Sequence, residues 1–121
     1  GRGLGMVGNL PGLDRFLAKA ALLVGEAGAL ILDSLDVTRS ADPRHRSYHE
    51  ANLRAGRYVG ETRIRFEFEG RRGLFLPWLH VTPGTLREQA GRAGLGCEIL
   101  AEGEEGEYVA RLTRRPDFFR L

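Results

Sequence analysis

Leu13, Phe16, Leu17, Ala20, Leu23 and Val24 recur at three- and four-residue spacing, which places them in one apolar stripe along an amphipathic helix. Asn9 supplies an N-cap ahead of it and Pro11 suits its first turn. Asp14 near the positive end and Lys19 further on agree with the helix dipole, and Gly25 and Gly28 stop the helix. Residues 29–35, Ala29-Leu30-Ile31-Leu32-Asp33-Ser34-Leu35, are a short and nearly continuous apolar run. A strand apolar on both faces, directly after a helix, fits a parallel sheet covered on both sides. Its polar end at Asp33, Ser34 and Asp36 falls where open α/β sheets bind ligands.

Residues 38–57 are polar and rich in Arg, Asp and His, a long connection with a short helix from Pro43 to Leu53. Arg63-Ile64-Arg65-Phe66-Glu67-Phe68-Glu69 alternates charged and apolar positions, as a half-exposed strand does. Gly70-Arg71-Arg72-Gly73 reads as a turn, and Leu74 to Val81, with Trp78, as the returning strand. The segments 62–69 and 74–81 are therefore expected to pair as an antiparallel hairpin with one apolar face near Trp78. Thr82-Pro83 is a second cap and first-turn proline. Leu86, Ala90 and Ala93 mark a short helix closed by Gly94. Cys97–Leu100 and Tyr108–Thr113 read as two more strands around a turn at Gly103–Gly106, and the tail from Arg114 to Leu121 is basic and aromatic.

At 121 residues, with 42% hydrophobic and 28% charged positions, the chain has the composition of one globular domain. No apolar run approaches the roughly 18 residues of a membrane span, and no basic segment leads into an apolar stretch as in a signal peptide. A cytoplasmic location is the resulting expectation. The chain begins with Gly1, so it reads as a piece of a longer protein. Net charge is +2. Arg is spread among Glu61, Glu67, Glu69, Glu88, Glu102, Glu104, Glu105 and Glu107 rather than gathered on one face, which argues against a nucleic-acid partner. Cys97 is the only cysteine. That excludes an internal disulfide and a cysteine zinc cluster, and its strand context suggests an inert, buried thiol.

The opening glycines Gly3, Gly5 and Gly8 spell G-x-G-x-x-G, but no strand precedes them, and taking Asp33 or Asp36, past the next strand's apolar run, for the fingerprint's acidic residue would miscast them. A tight loop into the first helix is the better reading. His45 and His49 would share a helix face, yet Arg46 stands where a zinc protease motif has Glu. A solvated polar helix fits better, and no metal site is expected. His80 and Trp78 alternate at a strand end, consistent with a structural histidine. No G-x-S-x-G elbow surrounds Ser34, so with Asp33 and Asp36 it reads as the cap of a strand rather than a nucleophile. No catalytic group is identified.

The order of these segments resembles the second half of a class I, Rossmann-like S-adenosylmethionine-dependent methyltransferase of a bacterial branch. Gly3-Leu4-Gly5-Met6-Val7-Gly8-Asn9-Leu10-Pro11-Gly12-Leu13-Asp14-Arg15-Phe16-Leu17 is similar to the "LG-x-x-G" loop after that family's fourth strand. Leu23-Val24-Gly25-Glu26-Ala27-Gly28-Ala29-Leu30-Ile31-Leu32-Asp33-Ser34 is similar to its "L-L-x-P-G-G-x-L-L-x-D-S", with Gly25-Glu26-Ala27 departing from the proline and first glycine. Asp36-Val37-Thr38, Asp42-Pro43, Tyr48-His49, Asn52, Gly56-Arg57, Phe75, Trp78-Leu79 and Tyr108-Val109-Ala110-Arg111-Leu112 continue the likeness.

The resemblance implies an α/β fold in which residues 1–121 are the C-terminal half of the sheet. That half has a parallel helix-connected strand, an inserted hairpin at 58–81 and a final antiparallel strand pair. It implies a parent that transfers a methyl group from S-adenosylmethionine to an unidentified acceptor. The family's glycine turn and ribose-binding acid are not in this chain, which alone would be inactive. Gly1, Arg2, Gly3 and Leu4 would be one wall of the cofactor site. Asp36, Tyr48, His49, Arg57, Trp78 and His80 would lie on the substrate side. An open sheet edge would favour self-association. The competing reading is a non-catalytic α/β binding or oligomerisation module. A glycine fingerprint encoded within about 100 residues upstream, a span set by domain size, would favour the enzyme.

Overall fold

A computed structural model of the chain describes residues 3–116. The tight loop expected of the glycine-rich opening is a 3-10 turn at Gly3–Val7. Helix α1 (Leu10–Val24) follows, and its cap is the one expected: the Asn9 Oδ1 accepts the Gly12 N–H at 2.8 Å. Strand β1 (Leu30–Leu35) leads through a short 3-10 turn to α2 (Pro43–Arg54), capped by Asp42. Then come β2 (Glu61–Ile64), β3 (Glu67–Phe68), β4 (Arg71–Arg72) and β5 (Leu76–Leu79). Helix α3 (Pro83–Arg92), capped by Thr82, precedes β6 (Leu95–Glu102) and β7 (Glu107–Arg114).

The main sheet has the order β1-β7-β6 and is antiparallel throughout. This corrects the expectation of a parallel ladder around residues 29–35. β1 and β6 do run in the same direction, but β7 returns between them through the Gly103–Gly106 turn and separates them. The expectation of cover on both faces is corrected too. Leu30, Leu32 and Ser34 of β1 lie in register with Leu112, Ala110 and Tyr108 of β7 on the face that α1 and α3 cover. On the other face Ile31, Arg111 and Glu98 are in register and all exposed. The apolar run of β1 thus reflects a strand of which one side is core and the other is bare.

Leu13, Leu17, Leu86, Leu95 and Leu112 are fully buried at the centre of the core. The predicted stripe of α1 holds for Leu13, Leu17 and Ala20. It fails at Leu23, which is 86% exposed because the last turn of the helix lies outside the core.

The predicted hairpin is present, in two pieces. β2 and β5 pair antiparallel with Glu61 opposite Leu79 and Ile64 opposite Leu76. β3 and β4 pair at the tip. The turn is not 70–73 as the glycines suggested. It is Glu69-Gly70, both at positive φ (48° and 76°), and Arg71 and Arg72 are already strand. Two residues with φ > 0 suit the twist of a two-residue hairpin loop better than a four-residue turn would. Trp78 packs against Gly5, where a Cβ would collide with the indole. Phe66, Phe68, Leu74 and Phe75 remain exposed, so the hairpin tip has no buried apolar face.

Candidate functional site

Two buried polar side chains fix the segment that joins the hairpin to α3. Ser34, at the end of β1, accepts the Val81 N–H on its Oγ at 3.1 Å. Tyr108 of β7 donates its hydroxyl to the Val81 carbonyl at 2.5 Å. Burial pushes the Tyr108 phenol well above its ordinary range, so it stays protonated and remains a donor. Ser34 therefore pins a strap onto the sheet, as the reading of a strand cap implied and a nucleophile would not. The preceding residue is held as well, since the His80 N–H donates to the Gly60 carbonyl at 2.9 Å. A Cβ on Gly60 would run into the His80 carbonyl, so the close approach of these two backbones requires glycine there.

Asn52 does the same for α2. Fully buried, it donates through Nδ2 to the carbonyls of Val59 (3.2 Å) and Glu61 (2.8 Å), and its Oδ1 accepts from Arg57 Nε at 3.0 Å. This ties the helix to the start of β2 and sets α2 beside the strap.

The result is a cleft of about 570 Å³. Its floor is the end of β1 and the turn after it, Leu35 and Val37. One wall is α2 with its cap, carrying Asp42, His45 and His49. The opposite side is Thr62 and His80, and the β6–β7 turn closes it with Glu104, Glu105 and Glu107. The cleft lies at the carboxyl ends of β1 and β6, the side of an open α/β sheet on which ligands bind.

His45 is engaged within its own turn: its Nδ1 lies 2.8 Å from Ser40 Oγ, and its Nε2 is 3.9 Å from Asp42 Oδ2. The Asp42 carboxyl is held below its usual value chiefly by its hydrogen bonds with Arg44. His49, one helical turn along, is pulled below the ordinary imidazole value by burial, with a smaller push from the charge of His45. It is therefore neutral at pH 7. The unfolded chain takes up this proton first as pH falls through about 6.5. The cost of His49 to stability then builds up between that value and its lower folded one, is fully present below both, and is absent above them. Carbon-detected NMR of the His Cε1 positions is expected to show His49 titrating below a model peptide. Titration at or above the peptide value would refute the burial assigned to it.

Of the residues singled out in the sequence, the cleft brings together His49 and His80. Asp36 is turned to local work: its Oδ1 accepts the Thr38 N–H (3.1 Å) and hydroxyl (2.6 Å). Tyr48 lies exposed on α2, Arg57 is on Asn52, and Trp78 is against Gly5. Gly3 is exposed and Leu4 is part of the core, while Gly1 and Arg2 lie outside the described residues. Cys97 is half-buried, and burial pushes its thiol up, as an inert cysteine requires. Glu104, Glu105 and Glu107 escaped the sequence reading. They look like ordinary turn residues until the sheet places their turn beside Leu35. Among the described residues no three His, Cys, Asp or Glu side chains are placed to share a metal ion. No helix among them is long and apolar enough to cross a membrane.

The sequence matches no protein-family model and no curated protein. Among solved structures it is similar to the crystal structure of a SAM-dependent methyltransferase from Bacteroides fragilis in complex with S-adenosyl-L-homocysteine. The TM-score is 0.71 and the identity 27%, over 93% of this chain and 44% of that one. The chain thus spans less than half the length of the protein it matches. Its mixed α/β architecture, with antiparallel sheets, is a methyltransferase-like fold.

Proposed function

We propose that this chain is the C-terminal half of an S-adenosylmethionine-dependent methyltransferase domain, with the hairpin at 58–81 as an insertion in it. The observation that carries this reading is the likeness over 93% of the chain to a methyltransferase crystallised with S-adenosyl-L-homocysteine. Two features support it. β1 is an edge strand, and the sheet face carrying Ile31 is bare. Both are the surfaces against which a further half-sheet and its helices would pack. The cleft between α2 and the strap is then the acceptor side, and such an enzyme would work in the cytoplasm.

The described residues do not by themselves fit the cofactor. Leu4 is committed to the core and Gly3 has open space around it, and there is no glycine turn between a strand and a helix to take the methionine end. The donor side therefore has to come from chain outside this one, and residues 3–116 contribute the acceptor cleft and its rigid support.

Calorimetry with S-adenosyl-L-homocysteine tests this on two proteins, the chain itself and the product of the same gene extended upstream. The extended protein is expected to bind in the low micromolar range, about −8 kcal/mol, and the chain alone at least a hundredfold more weakly. An extended protein that does not bind would overturn the reading and favour a non-catalytic module joined through β1. Tight binding by the chain alone would mean that the cofactor site lies within it.

A further inference from the structure

The cleft has a charge that the methyltransferase reading does not explain. Its lining carries four carboxylates, Asp42, Glu104, Glu105 and Glu107, against one guanidinium, Arg39. Asp42 is already satisfied by Arg44. Glu104 and Glu105, in the exposed turn, have no such cation among the described ion pairs. This excess is local, because the whole chain carries a net charge of +2. The cavity is large enough for a small molecule. It sits at the carboxyl ends of two co-directional strands, and its histidines stand on anchored backbone: His80 donates its N–H to Gly60 and precedes Val81, which Ser34 holds, and His49 is on the helix that Asn52 ties to β2. His49 and His80 both line it, from α2 and from the strap.

We infer that this cleft binds a small organic cation that also carries a hydroxyl or similar donor, the cation set against Glu104 and Glu105 and the donor toward the histidine wall. A concave site lined by one sign of charge raises the local concentration of the opposite ion and discriminates against anions. His49 belongs to that wall as an uncharged imidazole, which can accept a hydrogen bond where a charged one would repel the cation. The cleft is lined besides by His45 and Asp42 on the helix of His49 and its cap, Arg39 from the turn after β1, Thr62 and His80 from the hairpin side, and the three glutamates from the β6–β7 turn, whose carboxylates would favour the charged imidazole; burial is what keeps it neutral. Only Arg39 carries a fixed positive charge. This deepens the methyltransferase reading by naming the chemical class of the acceptor.

Tyramine and 4-hydroxyphenylacetate make a matched pair of probes, since they share a phenol and differ in the sign of the second group. Each is titrated into the full chain at low ionic strength and pH 7.5, followed by the His Cε1 resonances. Tyramine is expected to shift His49 and His80 saturably and to bind at least about fivefold more tightly than the anion, a preference that fades as salt is added. In Glu104→Gln/Glu105→Gln, a change confined to an exposed turn, the preference is expected to fall below twofold while the histidine spectrum of the free protein stays in place. Equal binding of the two probes, binding of neither, or a preference that survives the double substitution would each overturn the inference. Failure of the parent reading is separately visible, because it is read from S-adenosyl-L-homocysteine binding by the extended protein.

Discussion

Replacing Leu112 by alanine is expected to lower the unfolding free energy by about 2–5 kcal/mol, the range for a buried leucine truncated in a close-packed core. Leu112 is fully buried in β7, the central strand of the three-stranded sheet. It lies opposite Leu30 of β1 and Cys97 of β6, and shares its core with Leu13 and Leu17 of α1 and Leu86 of α3. The sheet and the two helices that cover it therefore share this core, and truncation here leaves a cavity among them. Single domains are held by about 5–15 kcal/mol, so the loss could unfold a chain at the low end of that range. Urea titration of Leu112→Ala gives the number. Leu100→Ala, at a half-exposed position in β6, is the control and should stay within about 0.5 kcal/mol. A loss below about 1 kcal/mol at Leu112 would mean that this core is not the one that holds the fold.

The chain is also expected to self-associate through β1. Among the described residues that strand pairs only with β7. The 3-10 turn at Gly3–Val7 packs near it, but a turn offers no ladder of donors and acceptors. An edge of six residues whose ladder is not paired is a template for another strand. Ile31, 56% exposed on the bare face, adds apolar surface beside it. Analytical ultracentrifugation over a hundredfold range of concentration should show a mass rising from 13.4 kDa toward twice that value. Ile31→Lys, which puts a charge on the bare face beside the edge, should weaken association at least tenfold. A monomer at every concentration that melts cooperatively above about 65 °C, the upper end for mesophilic domains, would sink the expectation and argue for a complete domain.

Local features were legible in the sequence because their causes are local. Asn9, Asp42 and Thr82 cap their helices through side chains that reach two or three residues along the chain. Proline follows at the first or second helical position in all three. The alternation of Arg63 to Glu69 against the apolar return strand was enough to expect an antiparallel pairing of 62–69 with 74–81, which the structure makes as 61–64 with 76–79 and 67–68 with 71–72. The turn starts one residue and ends three residues earlier than expected, since Gly70 could serve either as its start or as its second member, and only the pairing of Glu67 with Arg72 decides between them. The order of segments from Gly3 to Leu112 carried the resemblance to a methyltransferase, which the likeness in three dimensions supports at the level of fold.

What the sequence could not decide depends on which elements lie side by side. The run Leu30 to Leu35 is apolar whether its neighbours are parallel or not, and only β7, folding back from β6, makes the pairing antiparallel and leaves an open edge. Leu23 continues a helical stripe perfectly well and is still exposed, because a stripe is buried only where something covers it. Ser34 was placed correctly at a strand end, but its partner, the Val81 backbone, is 47 residues away. The cleft is the strongest case. His49, His80 and Glu104 come from a helix, a strap and a turn with no common spacing in the chain. The segments that carry the two histidines are held by the buried hydrogen bonds of Asn52, which span seven and nine residues, and by those of Ser34 and Tyr108, which reach Val81 across 47 and 27 residues. The sequence by itself determined the caps, the periodicities and the order of the elements. The tertiary structure decided which faces are covered, which edge is open and which side chains share a site, because each of those is settled by contacts between segments far apart in the chain.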